Sequence, residues 1–382
     1  LEVYQSPDID GLPPLHGGLM GYLGYDVVRE VEHLPDTPPD DRGFPDGVMS
    51  VIGDMVAIDH WRQRAVLIAN VVIPENADEE TLDSLYAEAQ QRLDDLAAAG
   101  AKPLDEPLMA PPDPEEEPPE TTSSISRENY CLAVEAAREH ILAGDIFQVV
   151  LSQRFDVELG AEPFDVYRVL RQINPSPYMY FLRYPDMTVV GSSPEPMVQL
   201  LGGRVISRPI AGTRRRGASD VEDRRMAAEL VEDPKERAEH VMLMDLARND
   251  VGRVVRFGTE EVEEMMTLER YSHVMHLTSQ VSGELAPGHT PIDVLRATLP
   301  AGTVSGAPKV RAMEIIDQLE PVKRGPYAGV VGYFDFSGNI DTAIAIRTML
   351  VKDGIASVQA GAGIVADSIP EAEYEECRNK AK

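Results

Sequence analysis

The sequence predicts an α+β fold built on antiparallel sheets. Three observations carry that prediction. Segments of strand character come as hairpins, with turns at Gly202-Gly203, Ser337-Gly338-Asn339 and Lys352-Asp353-Gly354. Helical segments are interspersed among the hairpins, and no βαβ repeat emerges. The 382 residues, 43% of them hydrophobic, are enough for one large domain or two ordinary ones with an ample core.

The elements follow in chain order. Residues 17–28 are glycine-rich and aromatic, and 48–70 alternate as a strand pair around Asp59-His60. Residues 75–100 read as an acidic amphipathic helix, and 101–122 as a Pro/Glu-rich, extended and solvated stretch. A helix is expected over 126–144, with Ser126 as N-cap and Gly144 at its end. Residues 146–157 alternate as a strand, 164–173 are helical and 178–192 give two strands. A hairpin covers 197–210, followed by helices through Glu232 and over 233–249. Further strands lie around Met275 and over 328–364.

Charge and cysteine usage narrow the function. A formal net charge of −30 repels nucleic acid and anionic membrane, which excludes both as main partners. The two cysteines cannot build a disulfide framework or a cysteine metal site, so a reducing, cytoplasmic setting is expected. No apolar run is long enough to span a bilayer and no signal-peptide pattern occurs. The chain opens on Leu1 inside a loop-like stretch, from which a further N-terminal segment is expected.

Two segments place carboxylates three residues apart on one helix face: Glu236 with Glu239, and Glu373 with Glu376. Each pair suits a hard cation such as Mg²⁺. Helix capping explains part of the pattern equally well, through Asp233 with Pro234 and Glu236, or through Ser368 with Glu371. The run Ile210-Ala-Gly-Thr-Arg-Arg-Arg-Gly217 is basic in an acidic chain and reads as a solvated loop or an anion site. Arg347 lies in an apolar alternating strand, where a structural salt bridge and a carboxylate clamp fit equally. His276 is either a satisfied core histidine or an acid/base group. Gly361-Ala362-Gly363 reads as a plain turn or as backbone N–H groups offered to an anion. No Walker loop, zinc spacing, dinucleotide fingerprint or Ser-His-Asp order occurs.

Several segments together resemble the chorismate-utilising enzymes, a family of anthranilate, aminodeoxychorismate, isochorismate and salicylate synthases. They are Gly144-Asp-Ile-Phe-Gln-Val-Val150, Ser193-Pro-Glu195, Pro209-Ile-Ala-Gly-Thr213, the stretch from Lys235 to Asp250, Ala301-Gly-Thr-Val-Ser-Gly-Ala-Pro-Lys309, Arg324-Gly-Pro-Tyr-Ala-Gly329 and Gly361-Ala-Gly363. They run in the family's order from Ser126 to the last residue.

The resemblance implies a four-layer α/β/β/α sandwich with two large antiparallel sheets. Residues 126–382 would be the chorismate-binding catalytic domain. Residues 1–75 would be the remnant of an N-terminal regulatory and structural region, joined through the acidic helix and linker of 76–125. By the same resemblance Glu239 and Glu376 ligate Mg²⁺, with Glu236 and Glu373 as outer partners. Tyr327 and Arg347 bind the enolpyruvyl carboxylate, helped by the turn at Gly361, Ala362 and Gly363. Gly212, Thr213 and Lys380 are further substrate contacts. Glu195 is the general acid for the departing ring hydroxyl, while His276 and Thr303 contact the ring and leaving group. Pro177, Tyr178 and Met179 resemble part of a feedback site for L-tryptophan.

Two positions choose the branch. Gln148 stands where the water-using synthases resemble one another in having a lysine, and Ala211 where many aminodeoxychorismate synthases carry one. Without either lysine the resemblance implies an anthranilate-forming lyase, with direct addition of ammonia. The ammonia would come from a glutamine amidotransferase subunit, making a hetero-oligomer. Aminodeoxychorismate or aminodeoxyisochorismate synthesis is the alternative within the family, and an inactive tryptophan-sensing scaffold the alternative outside catalysis.

Overall fold

Two antiparallel sheets stack face to face, and helices cover their outer faces, in a computed structural model that describes residues 4–382 apart from 8, 105, 106, 108, 112–118, 272 and 273. The nine-stranded sheet runs through Ile210–Arg215, Val274–Glu284, Arg204–Ser207, Pro196–Leu201, Ile340–Ile344, Val330–Asp335, Gly18–Leu23 and Gly47–Val51, and Glu261–Arg270 also pairs Val274–Glu284. The seven-stranded sheet runs through Gly306–Ala307, Gln148–Glu158, Ile355–Ile364, Thr348–Lys352, Thr188–Ser193 and Tyr178–Arg183, with Thr122–Ser123 also pairing Gln148–Glu158. A separate ribbon joins Asp54–Asp59 to Arg64–Ala69.

The packed clusters identify the layers. Tyr22, Val331 and Ala345 of the first sheet's side pack with Tyr180, Leu182, Val189 and Leu350 of the second, so this cluster lies between the sheets. On the outside of the first sheet, helices Pro234–Gly252 and Pro291–Thr298 contribute Met244, Ala247, Val251, Val294 and Leu295 to the largest cluster. Outside the second, helices Arg127–Ala143, Lys309–Leu319 and Pro370–Ala381 bury Tyr130, Val134, Ile315, Ile316 and Cys377 against Val149, Leu151, Ala362 and Ile364. The four-layer sandwich expected from the resemblance is present.

Local sequence explains the element ends. Ser126 accepts from the Asn129 N–H at the start of its helix, and Gly144 closes the same helix. The acidic helix starts at Glu79, later than expected, because Asp78 caps the Thr81 N–H. Strand Gln148–Glu158 does not alternate as expected: its first eight residues are all buried, with Val149 and Leu151 packed on helices while Ser152 and Arg154 bond to side chains from distant segments. Ser152 in its interior is matched by a distant carboxylate: its N–H and Oγ both donate to Glu320 Oε1, at 2.7 and 2.9 Å. Helices Pro291–Thr298 and Lys309–Leu319 were not expected, although Thr290 and Asp293 form a capping box at the first. Residues 112–118, the centre of the Pro/Glu-rich stretch, lie outside the described residues.

Candidate active site

Glu195 lies in the link between strands Thr188–Ser193 and Pro196–Leu201. Its backbone is pinned there. The Ile344 N–H donates to the Glu195 carbonyl at 3.0 Å, and Ser193 Oγ donates to the Ile344 carbonyl at 2.7 Å. Thr303, in the short helical turn Gly302–Val304, donates its hydroxyl to Glu195 Oε1 at 3.0 Å. Burial pushes the Glu195 carboxyl up to about 7, against the downward pull of Thr303 and of the Lys380 charge. A carboxyl poised near neutrality can both give and take a proton.

His276, on strand Val274–Glu284, faces Thr213 across the pairing with Ile210–Arg215. Its Nδ1 lies 3.0 Å from the Gly212 carbonyl and 3.1 Å from Thr213 Oγ1. A carbonyl only accepts, so Nδ1 carries the proton and Nε2 keeps a free lone pair. Burial lowers the His276 pKa against the upward pull of its hydrogen bond to Gly212, and the nearby Arg347 charge adds to the lowering, which favours the neutral ring. Gly212 is needed for the bulge that presents Thr213. It has φ +67°, and a Cβ there would meet Leu230 Cδ1 at 3.0 Å and Glu236 Oε2 at 3.1 Å. Ala211 is buried opposite Leu277.

The four carboxylates gather from two helices. Asp233 caps helix Pro234–Gly252 as expected, accepting from the Lys235 and Glu236 N–H groups. The Glu236 side chain does not return the bond; it accepts from Arg214 Nη1 at 3.0 Å. Burial raises the pKa of Glu239, as do the charges of Glu236 and Glu376, while Lys235 and a hydrogen bond from Gln148 oppose them. Glu373 is likewise raised by burial and by Glu376. Mutual repulsion among oxygen-only donors fits a hard divalent cation, which keeps few protein ligands. Among the described residues no three or more such groups stand close enough to hold a metal ion by themselves.

Among the described residues Arg347, at φ +51°, has neither an ion pair nor a side-chain hydrogen bond. The residue is exposed as a whole, yet the surrounding protein desolvates its guanidinium enough to lower its pKa. Among the described residues no structural salt bridge forms, and a charge left without a partner fits an anionic ligand. Burial raises the Tyr327 pKa, and its hydroxyl lies 2.8 Å from the place a Cβ on Gly361 would occupy.

Three expectations are corrected. Gly361, Ala362 and Gly363 form no turn: they are interior to strand Ile355–Ile364, paired with Ser152, Leu151 and Val150. Small residues are required because Tyr327 and Gln148 approach too closely for side chains at Gly361 and Gly363. The other edge of the strand is unpaired at this point, and Lys380 Nζ takes the Gly361 carbonyl there at 3.0 Å. A strand residue points its N–H and C=O to the same side, so the Gly361 and Gly363 N–H groups face that open edge. Ser368 and Glu371 make no capping pair: Ile369 precedes helix Pro370–Ala381 without a side-chain cap, and Ser368 Oγ accepts from the Val365 N–H. The basic run 210–217 is a strand end whose arginines clamp helices, Arg214 on Asp233 and Glu236, and Arg216 on Asp223 at 2.7 Å.

The expected residues thus converge. Gln148 sits between Glu239 and Gly363, with its side-chain oxygen buried and unpaired. Lys380 bridges Glu376 Oε1 at 2.7 Å and Gly361, and its charge also reaches Glu195. Pro177, Tyr178 and Met179 stand apart from this cluster, where the Tyr178 hydroxyl donates to Asp341 Oδ1 at 2.9 Å. Sequence reasoning missed Arg214 as the partner of Glu236. Its signal was the spacing of one arginine from a helix cap that only the fold brings near.

Residues 2–382 match the family of chorismate binding enzymes. The chain is 49% identical over 382 residues to anthranilate synthase component 1 of Acetivibrio thermocellus, covering 99% of this chain and 76% of that protein. It is 50% identical over 381 residues to the same component of Pseudomonas putida, covering 99% and 76%. The crystal structure of anthranilate synthase component I from Streptococcus pneumoniae superposes with a TM-score of 0.87 at 41% identity, over 100% of this chain and 83% of that one. The menaquinone-specific isochorismate synthase MenF of Escherichia coli shares the fold, with a TM-score of 0.66 at 23% identity over 78% of this chain and 68% of that one. With that fold and its gathered acid, arginine and carboxylates, this chain belongs to the chorismate binding enzymes.

Proposed function

We propose that the chain is the large subunit of an anthranilate synthase, converting chorismate and ammonia to anthranilate, pyruvate and water. The observation that carries this choice of branch is Gln148, which offers an unpaired buried acceptor where a base would be needed to activate water. Ammonia brings its own lone pair and has N–H donors for that acceptor. Ala211 is equally unable to attack the ring.

Arg347, Tyr327 and the open-edge N–H groups of Gly361 and Gly363 hold the enolpyruvyl carboxylate. Protonated Glu195, held by Thr303, gives its proton to the ring hydroxyl, which leaves as water. Ammonia adds to the carbon beside the ring carboxylate and loses a proton, and His276 Nε2 is a free acceptor at the ring. The C–H proton at the aminated carbon is then lost as the ring C–O bond to the enolpyruvyl group breaks; the released enolpyruvate takes up one proton on its methylene to become pyruvate, and the ring becomes aromatic. Glu239 and Glu376, with Glu236 and Glu373 behind them, would hold Mg²⁺, which when bound stabilises charge at the ring carboxylate.

The "component 1" in the relatives' names supports a second, ammonia-supplying component, for which a glutamine amidotransferase is the natural chemistry. We assign Pro177, Tyr178 and Met179 to a tryptophan site. Calorimetric titration with L-tryptophan is expected to return weak or no binding in this chain and inhibition-linked binding in a version extended to its relatives' length. Tight binding by this chain would remove the need for an added segment. The catalytic assignment is tested by anthranilate fluorescence from chorismate, ammonia and Mg²⁺, and its absence would leave the scaffold reading.

A further inference from the structure

Arg324 is 3% exposed, among the most deeply buried charges described, and the reading above gives it no task. Burying a guanidinium is costly unless its fork is fully engaged. Here Nε and Nη2 donate to the two Glu320 oxygens at 2.8 and 2.6 Å. Nη1 donates to the Val304 carbonyl at 2.6 Å, and Nη2 also to the Val150 carbonyl at 2.7 Å. Two rings lie against the guanidinium, with its carbon 4.7 Å from the Tyr25 centroid and 5.6 Å from that of Tyr327.

Each contact leads to a different wall of the active site. Val304 follows Thr303, which donates to Glu195. Val150 pairs with Gly363 and lies two residues from Gln148. Tyr327 stands against Gly361. Glu320, which neutralises Arg324, also accepts from Ser152 in the same central strand.

We propose that Arg324 is a positioning residue that holds the Thr303 turn, strand Gln148–Glu158 and the Tyr327 ring in register, setting the distance between the proton donor and the carboxylate clamp. The inference rests on the reading of Glu195 as acid and Tyr327 as carboxylate contact. A planar fork that also stacks on aromatic rings is required, because the acceptors and rings lie in several directions at once. A lysine keeps the charge beside Glu320 but cannot span them.

The test compares Arg324→Lys with wild type in kcat and KM for chorismate and in the pH profile of kcat/KM. Thermal melting identifies the folded variant. Thr303 lowers the Glu195 pKa and Lys380 is the charged group facing it, so a loosened Thr303 turn raises that pKa. Arg324→Lys is expected to raise KM roughly 10-fold or more and to move the basic limb upward by about half a pH unit. On a Thr303→Val background the limb moves no further. A purely structural staple would lower the active fraction and leave both the limb and KM in place; that result overturns the proposal. If Arg324→Lys does not fold, Tyr25→Leu removes one ring contact and leaves all four hydrogen bonds. It is expected to raise KM in the same direction, and an unchanged KM overturns the proposal. A basic limb that survives Glu195→Gln refutes the acid reading instead, and Arg324 is then judged on KM against kcat alone.

Discussion

Thr303 Oγ1 donates to Glu195 Oε1 at 3.0 Å across 108 residues of sequence, which joins the proton donor to the turn that Arg324 holds from behind. That hydrogen bond favours the carboxylate, and burial favours the acid. Burial wins, so Glu195 carries a proton up to about pH 7 and loses it above. Activity that needs the acid falls as pH rises through this range. Thr303→Val removes the contact that lowers the pKa, so the limb is expected to move to higher pH while kcat drops about 10-fold. A pH profile of kcat/KM checks it. A limb moving to lower pH would contradict the arrangement.

Arg347 separates function from stability. Its guanidinium is partly desolvated and, among the described residues, makes no ion pair or hydrogen bond, so Arg347→Met removes no stabilising contact from the folded protein. The melting temperature is expected to hold or rise. KM for chorismate should increase by about 100-fold, the worth of roughly 2–3 kcal/mol in lost charged hydrogen bonds. A clear loss of stability would show that Arg347 serves the fold.

The carboxylate assignment is tested at Glu376. An amide is a poor ligand for a hard cation, so Glu376→Gln is expected to lose most activity at millimolar Mg²⁺ and to weaken Mn²⁺ binding read by electron paramagnetic resonance. Circular dichroism should be unchanged, because the side chain's described contact is the exposed pair with Lys380. Near-normal turnover would return Glu373 and Glu376 to surface solvation.

The sequence displayed the sheets well because hairpin turns and caps act locally: Ser126, Gly144 and the Gly202-Gly203 turn mark element ends within a few residues. It misled wherever a distant segment decided the structure. Gly361 to Gly363 look like a turn by composition, but their glycines answer to Tyr327 and Gln148, which arrive from other elements. The strand at 148 hides its polar interior because Glu320 and Gln359 lie far along the chain. The carboxylate pairs were visible by spacing, and their convergence was not, since helices Pro234–Gly252 and Pro370–Ala381 meet only through the sandwich. Arg347 was ambiguous for the same reason: the absence of a partner is a property of the whole fold.

The central claim is the identity of the product. Purified chain incubated with chorismate, ammonia and Mg²⁺ is expected to yield anthranilate and pyruvate in equal amounts by chromatography, with no salicylate and no 4-amino product. Gln148 and Ala211 are the residues behind that expectation. Dominant salicylate or the para-amino compound would contradict it, and an aminated product retaining its enolpyruvyl group would place the chain in the aminodeoxyisochorismate branch instead.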